Sequence, residues 1–451
     1  MKRIKTVSIA IAFLLAGASL SALAGCSPAD TNGTSNGDGK SAVTVVPVSV
    51  AELEEPVYGE PFPAAGAVAG GANDFAFKLS AALAEQSGGQ NLVCSPYSVW
   101  IPLAALLNAT DAQSKDALLS AIGASGIREE DVNKAASRML YDLTKQRDKE
   151  FLKEQGESGP DPLKIANAIF VDKRVTLKKD FAQTFMDSYR GNAMNVDFAS
   201  EDAVAAVNKW ASENTEGLIT DIVQEFDPSA VAAIANAIYF SDRWDREFDA
   251  DKTEEDIFYS PAGETKASYM LREGDAQLYY EDDRVQAMPL QFTTGGGLYI
   301  ILPKNGGAAE LLSSMTSAYF SKIQADQTAS TGKLLLPRFS VESDVMELKD
   351  TLTALGVLLF DEAAAPLTGG LIEGNIPVWL SSAVHKAVVK VDEKGTTAAA
   401  VTVMSLNAGS AMPQPTEPFE MTCNKPFVFV LYDRTYDGGS QILFTGIVNQ
   451  P

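Results

Sequence analysis

The segment "DEKGTTAAAVTVMSLNAGSAMPQPTE", residues 392–417, decides how the rest of this chain is read. It offers no helix cap, no metal-ligand set and no hydrophobic period. Yet it lies between two well-patterned apolar runs, "SAVHKAVVKV" (382–391) and "NKPFVFVLYD" (424–433). From Gly395 to Met412 it carries neither a charge nor a proline, and small residues lead while larger apolar ones follow. In an extended backbone Thr396, Ala398, Ala400, Thr402, Met404 and Leu406 fall on one face. Composition alone permits a flexible linker, so the neighbouring sequence has to decide.

The whole chain has 451 residues, of which 46% are hydrophobic and 21% charged, a globular composition with ample length for a large core. A net charge of -23 without any basic block argues against nucleic acid as a partner and against anionic lipid headgroups. The N-terminal "MKRIKTVSIAIAFLLAGASLSALAGC" (1–26) has Lys2, Arg3 and Lys5, then an apolar run, then small residues. That order reads as a secretory leader, too short and wrongly flanked for a stable membrane span. Its end, "LAGC" (23–26), resembles a bacterial lipobox, which implies cleavage before Cys26 and a lipid on that thiol. An ordinary leader with a coincidental cysteine is the alternative. Residues 1–25 are therefore expected to be a lipoprotein signal peptide. Residues 26–71, rich in Ser, Gly, Asp, Asn, Pro and Ala, are expected to be a flexible surface tether, and 72–451 one domain. This predicts an extracellular, bacterial cell-surface lipoprotein that meets the membrane only through the lipid on Cys26.

Within the domain, Asn73 is expected to cap a helix carrying Phe75, Leu79, Ala82 and Leu83. Ser95 followed by Pro96 is an N-cap with proline at the first helical position. "KIANAIFVD" (164–172) and "AIANAIYFSD" (233–242) read as buried strands in neighbouring environments rather than a repeat. "AMPLQFTTGGGLYIILP" (287–303) and "PFVFVLYDRTYDGGSQILFTGIV" (426–448) read as hairpins, and "VMELKDTLTALGV" (345–357) as a helix ending at Gly356. The sum is a mixed α+β domain. Besides Cys26 only Cys94 and Cys423 remain; two buried small hydrophobes is favoured over a disulfide. His385 is the single histidine and sits in an apolar strand pattern, so neither a zinc site nor a Ser/His/Asp or Cys/His catalytic site is expected. No phosphate-cradling glycine motif and no singled-out acid/base pair is present either. The reading is that the chain is not an enzyme and holds no cofactor or metal.

Seven stretches then occur in a fixed order: "NLVCSPYSVW" (91–100), "IANAIFV" (165–171), "VNKWASENTEGLI" (207–219), "NAIYFSDRWDREF" (236–248), "LPRFSVES" (336–343), "VHKAVVKVDEKGTTAAA" (384–400) and "NKPFVFVLYD" (424–433). In these the chain resembles the serpin family from about residue 73 to its C-terminus. The resemblance implies three β-sheets, with a large five-stranded central sheet A, eight or nine helices and an exposed reactive-centre loop at about 393–418. It also implies a suicide-substrate inhibitor of serine proteases. In that mechanism the protease cuts the loop and is trapped as a covalent acyl-enzyme while the loop inserts into sheet A. The expected partner is a target serine protease, elastase-like or subtilisin-like, met by a monomer. A non-inhibitory relative serving as a binding or surface-interaction protein is the alternative.

The physical demands of insertion are met by these residues. A new central strand needs about 15 residues, roughly 50 Å of chain, with no proline and no charge on its buried face. The hinge is expected to be Glu393, Lys394, Gly395, Thr396, Thr397, Ala398, Ala399 and Ala400. By resemblance, Ser95, Ser98, Asn236 and His385 form a hydrogen-bonded cluster beneath the opening of the sheet. Trp244, Arg338 and Glu393 belong to the region where the loop first inserts, with Arg338 as the ion-pair partner of Glu393. The family's usual spacing puts the reactive bond at Gly409–Ser410. The segment is longer than is common in the family, however, which leaves Leu406, Ala408, Ala411 and Met412 open.

Overall fold

Two apolar runs that share the core "ANAI", at 166–169 and 235–238, lie side by side in the folded chain. In the computed structural model, which describes residues 8–18, 44–45, 62–144, 163–274, 276–395, 416–435 and 439–451, they form β4 (Leu163–Asp172) and β6 (Ala230–Phe240). The two strands pair antiparallel with Asn167 directly opposite Asn236. Both faces are covered. Ala168, Phe170, Ala233, Ala235 and Ala237 join Val207 and Ala211 of the helix Glu201–Asn214 in one core. Ile169, Val171, Val231, Ile234 and Ile238 join the main core, which also takes the wholly buried helix Pro96–Leu106. Burial on both faces explains why these strands read as unbroken apolar runs rather than as alternation.

The large sheet runs in the order β13 (Phe339–Glu342), β15 (Val378–Val391), β1 (Ser8–Ala18), β6, β4, β5 (Gly191–Val196), β2 (Thr44–Val45), with β14 (Met346–Glu347) also on β15. The five strands expected of sheet A are therefore present, as β13, β15, β6, β4 and β5. The sheet nevertheless holds eight strands rather than five. Two of the additions are two-residue strands. The third, β1, comes from the N-terminal apolar run and lies between β6 and β15, antiparallel to both. A run of eleven residues without charge or proline suits such a position, because a central strand must offer an N–H to each neighbour and a neutral surface.

The other ten strands form a second connected ladder, β3 (Leu92–Cys94), β18 (Ser440–Val448), β17 (Phe427–Arg434), β11 (Gly297–Pro303), β10 (Val285–Gln291), β9 (Gln277–Glu281), β12 (Thr328–Pro337), β8 (Gly263–Glu273), β7 (Glu254–Ser260), with β16 (Thr416–Thr422) on β12. It divides into two smaller sheets where β9 pairs with both β10 and β12. The hairpins expected at 287–303 and 426–448 are β10–β11 and β17–β18. Nine α-helices occur among the described residues, which agrees with the expected mixed α+β fold.

Two helix boundaries differ from expectation. The first helix runs Pro63–Gln86, starting before the domain boundary expected at 72, with Pro63 at its first position. Asn73 lies inside that helix and caps nothing. Its amide instead fastens the helix to β18, donating to Ser440 O (2.6 Å) and accepting from Ile442 N (3.0 Å). The helix expected over 345–357 is confined to Lys349–Ala354, because Met346 and Glu347 pair with β15 as β14. Gly356 follows at φ +94°, as a helix stop requires. Cys94 and Cys423 are buried free thiols. Burial pushes the Cys94 thiol up to about 11, partly offset by hydrogen bonds from Thr445 and Ser80.

Gly71, within the first helix, shows where packing overrides propensity. A Cβ there would stand 2.0 Å from Gly123 O, so this helix and the turn after the helix Ala112–Ala121 touch backbone to backbone. In an exposed helix Gly→Ala would stabilise by roughly 0.5–1 kcal/mol. Here Gly71→Ala is expected to destabilise by about 1–3 kcal/mol through overpacking. A urea titration that shows an unchanged or raised midpoint would contradict the close approach.

Candidate functional site

The first turn of the helix Pro96–Leu106 sits under the gap that β1 fills. Ser95 is its N-cap, its hydroxyl accepting from Ser98 N (3.3 Å) and donating to Leu443 O (2.6 Å). The main-chain N–H of Ser95 donates to His385 Nε2 on β15 at 3.0 Å. The hydroxyl of Ser98 donates to Asn236 Oδ1 on β6, and Asn236 passes the chain on through Nδ2 to Asn167 Oδ1 (2.8 Å). Asn167 in turn donates to Tyr189 O (2.6 Å). Ser95, Ser98, Asn236 and His385 are all fully buried, and Asn167 is 2% exposed. One helix end thus ties β15 through Ser95 and β6 through Ser98. Since His385 Nε2 accepts a hydrogen bond, it acts in a buried polar network and has no access to a substrate.

At the upper end of β15 the chain turns back at once. Asp392 and Gly395 form an isolated antiparallel bridge, and Gly395 forms another with Arg243. Gly395 has φ +101°, and a Cβ on it would stand 2.5 Å from Trp244 N, so only glycine fits. Trp244, 2% exposed, is the platform for this turn. Its indole N–H donates to Asp392 O (2.9 Å), its main-chain N–H to Lys394 O (3.2 Å), and its ring stacks on Phe292 at 4.8 Å. Asp242, just before it, accepts from Thr293 Oγ1 (2.6 Å) and Thr294 N (3.2 Å), which fixes the platform.

Glu393 is 6% exposed and held from three sides. Arg338 Nε donates to both carboxylate oxygens (2.7 and 2.8 Å), and its terminal nitrogen reaches Oε1 at 2.5 Å. Thr253 Oγ1 donates to Oε1 (2.6 Å), and Phe248 N takes the Glu393 carbonyl (2.8 Å). Burial pushes the Glu393 carboxyl up. The hydrogen bonds from Arg338 and Thr253 outweigh that and hold it below its ordinary value.

The expected sheet-opening residues and the expected loop-insertion residues are each brought together, at the middle and the top of one gap. Of the hinge, Glu393, Lys394 and Gly395 are described; Thr396, Thr397, Ala398, Ala399 and Ala400 lie outside the described residues, as do Gly409, Ser410 and Cys26. Thr253, Asn167 and Asp242 were missed by the sequence reading. A signal existed for Asn167: it occupies the same place in "IANAI" as Asn236, and paired strands put the two amides face to face. Thr253 and Asp242 carry no such mark. Among the described residues no group of acidic, histidine or cysteine side chains is placed to hold a metal, and no helix is long and apolar enough to cross a membrane.

Comparison with known proteins identifies the family. The sequence profile described as serpin (serine protease inhibitor) matches residues 70–451, and the chain belongs to that family. It is 30% identical over 383 residues to alpha-1-antitrypsin of Meriones unguiculatus, covering 84% of this chain and 89% of that one. It is 28% identical over 395 residues to the plasma serine protease inhibitor of Bos taurus, covering 86% and 92%. Among solved structures, native tengpin, a thermophilic serpin, superposes with a TM-score of 0.69 at 24% identity, covering 85% of this chain and 94% of that one.

Two expectations follow from the site. Asn236→Ala removes the link between Ser98 and Asn167 and leaves both without it, which should cost about 1–3 kcal/mol. An unchanged urea midpoint would refute the network as a fastening of β6. Glu393→Gln keeps the shape but loses the charge opposite Arg338. Because the Glu393 value is depressed in the folded state, its contribution is fully present above the unfolded range near about 4.3 and fades as the pH falls through the folded value. The stability difference between Glu393→Gln and the parent should therefore be largest near neutrality and shrink below about pH 4. A difference independent of pH would show that the ion pair contributes nothing.

Proposed function

We propose that this chain is a suicide-substrate inhibitor of a serine protease, exported and held at a bacterial cell surface through a lipid on Cys26. The observation that carries the reading is the foot of the reactive-centre loop. Asp392–Gly395 already reverses the chain at the mouth of the gap between β6 and β15, under the Glu393–Arg338 latch. Residues 396–415 then lead to β16 with no charge, and their only prolines, Pro413 and Pro415, come last. A protease acylated by the residue before the reactive bond, Gly409 in the favoured register, stays covalently attached while the cut loop enters the sheet. Its acyl ester is then distorted before water can release it. Small residues at the start of the loop let the first part of the strand slip in past packed neighbours. A small residue at the cut suits the shallow or permissive primary pocket of an elastase-like or subtilisin-like enzyme. The latch delays insertion until the cut, since parting Arg338 from a buried carboxylate is costly.

Incubation of the purified protein, processed at Cys26, with pancreatic elastase or subtilisin tests this directly. The expected result is an SDS-stable complex with release of a small C-terminal fragment. Cleavage with full retention of protease activity would sink the inhibitor reading in favour of a non-inhibitory binding protein on the same fold. Ala400→Pro supplies the control, because proline cannot donate to the ladder of a central strand. It should abolish the complex and turn the protein into a plain substrate, with the folded state before cleavage unchanged.

A further inference from the structure

The strand β1 stands in the one place where a cut loop would have to go. Its pairings run from Ser8 opposite Phe240 to Gly17 opposite Ala230 on β6, and from Ile9 opposite Val388 to Ala18 opposite Val378 on β15. Ala12 is opposite both Asn236 and His385, so β1 crosses the gap directly above the polar cluster that fastens the two strands. We propose that the unprocessed chain closes its own sheet with Ser8–Ala18, which blocks loop insertion, and that hydrolytic removal of the leader by a peptidase arms the inhibitor. This rests on the inhibitor reading above, because arming has meaning only if the loop must enter the same gap.

The registers make the competition specific. The Asp392–Gly395 bridge fixes how a strand continuing from the hinge would pair with β15. Carried on residue by residue, it puts Ala399 opposite Val388, Ala400 opposite Ala387, Val401 opposite Lys386, Thr402 opposite His385, Val403 opposite Val384 and Met404 opposite Ala383. In the structure those partners are taken by Ile9, Ala10, Ile11, Ala12, Phe13 and Leu14. The two segments have the same character position by position where it matters most: alanine at 10 and 400, β-branched at 11 and 401, apolar at 13 and 403 and at 14 and 404. Both lack charge and proline, the two features a central strand excludes. Neighbouring strands stand about 4.8 Å apart, so a gap of one strand's width holds one of them and never both. The leader is joined covalently to the sheet it fills, which gives it an effective concentration on the order of millimolar.

The test uses the full 451-residue chain carrying Cys26→Ser, which prevents lipidation and processing at that thiol, compared with the same chain carrying Phe13→Pro in addition. The parent should show slow amide hydrogen exchange across Ser8–Ala18, a higher urea midpoint, and little or no SDS-stable complex with elastase or subtilisin. The Phe13→Pro chain should exchange freely there, unfold at lower urea and form the complex. Ala12→Asp, which puts a charged residue at the register position opposite Asn236 and His385, should act as Phe13→Pro does and guards against a proline-specific folding fault. Free exchange across Ser8–Ala18 in the parent, with the same midpoint and the same complex in all three proteins, would overturn the inference while leaving the inhibitor reading intact. Protection and a midpoint shift without a complex from any of the three would sink the inhibitor reading, and the arming with it, while the self-closed sheet would stand.

Discussion

The main-chain hydrogen bonds that the facing edges of β6 and β15 must make are the constraint on which the rest of this molecule depends. A strand inside a sheet must have its N–H and C=O groups taken on both sides. β6 is satisfied by β4 on one side, and β15 by β13 and β14 on the other. On its remaining side each is met by β1, which runs between them. Beneath β1 the helix Pro96–Leu106 ties both strands to one point, His385 through Ser95 and Asn236 through Ser98. Asn236 and His385, both opposite Ala12, stand about two strand spacings apart with β1 between them, roughly 10 Å.

The same helix end explains why polar residues are tolerated at the centre of an apolar sheet. Each side chain in the chain Ser98–Asn236–Asn167–Tyr189 has a partner, so burying it costs little beyond the loss of water. Because the partners come from two helices and two strands, no strand can shift without breaking a bond in a dry environment where that loss is felt in full. The latch at the top works by different physics. Arg338 remains 46% exposed on its side chain while Glu393 is 8% exposed on its own. The pair is therefore half-solvated, and its strength comes from two-point geometry and the third bond from Thr253 as much as from charge. A fastening of this kind resists opening and can still let go.

How much of this was legible depended on how local its cause is. The Ser95–Pro96 cap, the two hairpins and the buried strands at 164–172 and 233–242 are written in turn chemistry and apolar runs, and they were found. The clustering of Asn236 and His385 around one helix end and the Glu393–Arg338 pairing were legible only through the family resemblance, since residues 149 and 55 positions apart leave no trace of proximity in a single sequence. The helix Pro63–Gln86 was misplaced for a physical reason. Its first half, "PAAGAVAGG" (63–71), carries the glycine and alanine content of a tether, and packing of Gly71 against Gly123 turns that composition into a close contact. The apolar run at 8–18 shows the converse. Its composition fits a secretory leader and a central strand equally well, because both need about the same length of neutral, proline-free chain.

That ambiguity follows from what the gap asks of its occupant. The ladder edges of β6 and β15 test backbone donors, neutrality and size, and they do not test a particular sequence. Specificity must then lie in direction and in arrival. Direction is decided at the foot of the loop: Gly395 bridges Asp392 and Arg243 together, so any strand continuing from it runs antiparallel to β15, the sense that β1 also adopts. In the proposed mechanism arrival is decided by the latch, since Arg338 holds Glu393 at the foot of the hinge and Trp244 holds the backbone on either side of it. In the proposed mechanism a gap that accepts many strands is kept for one by controlling where that strand begins.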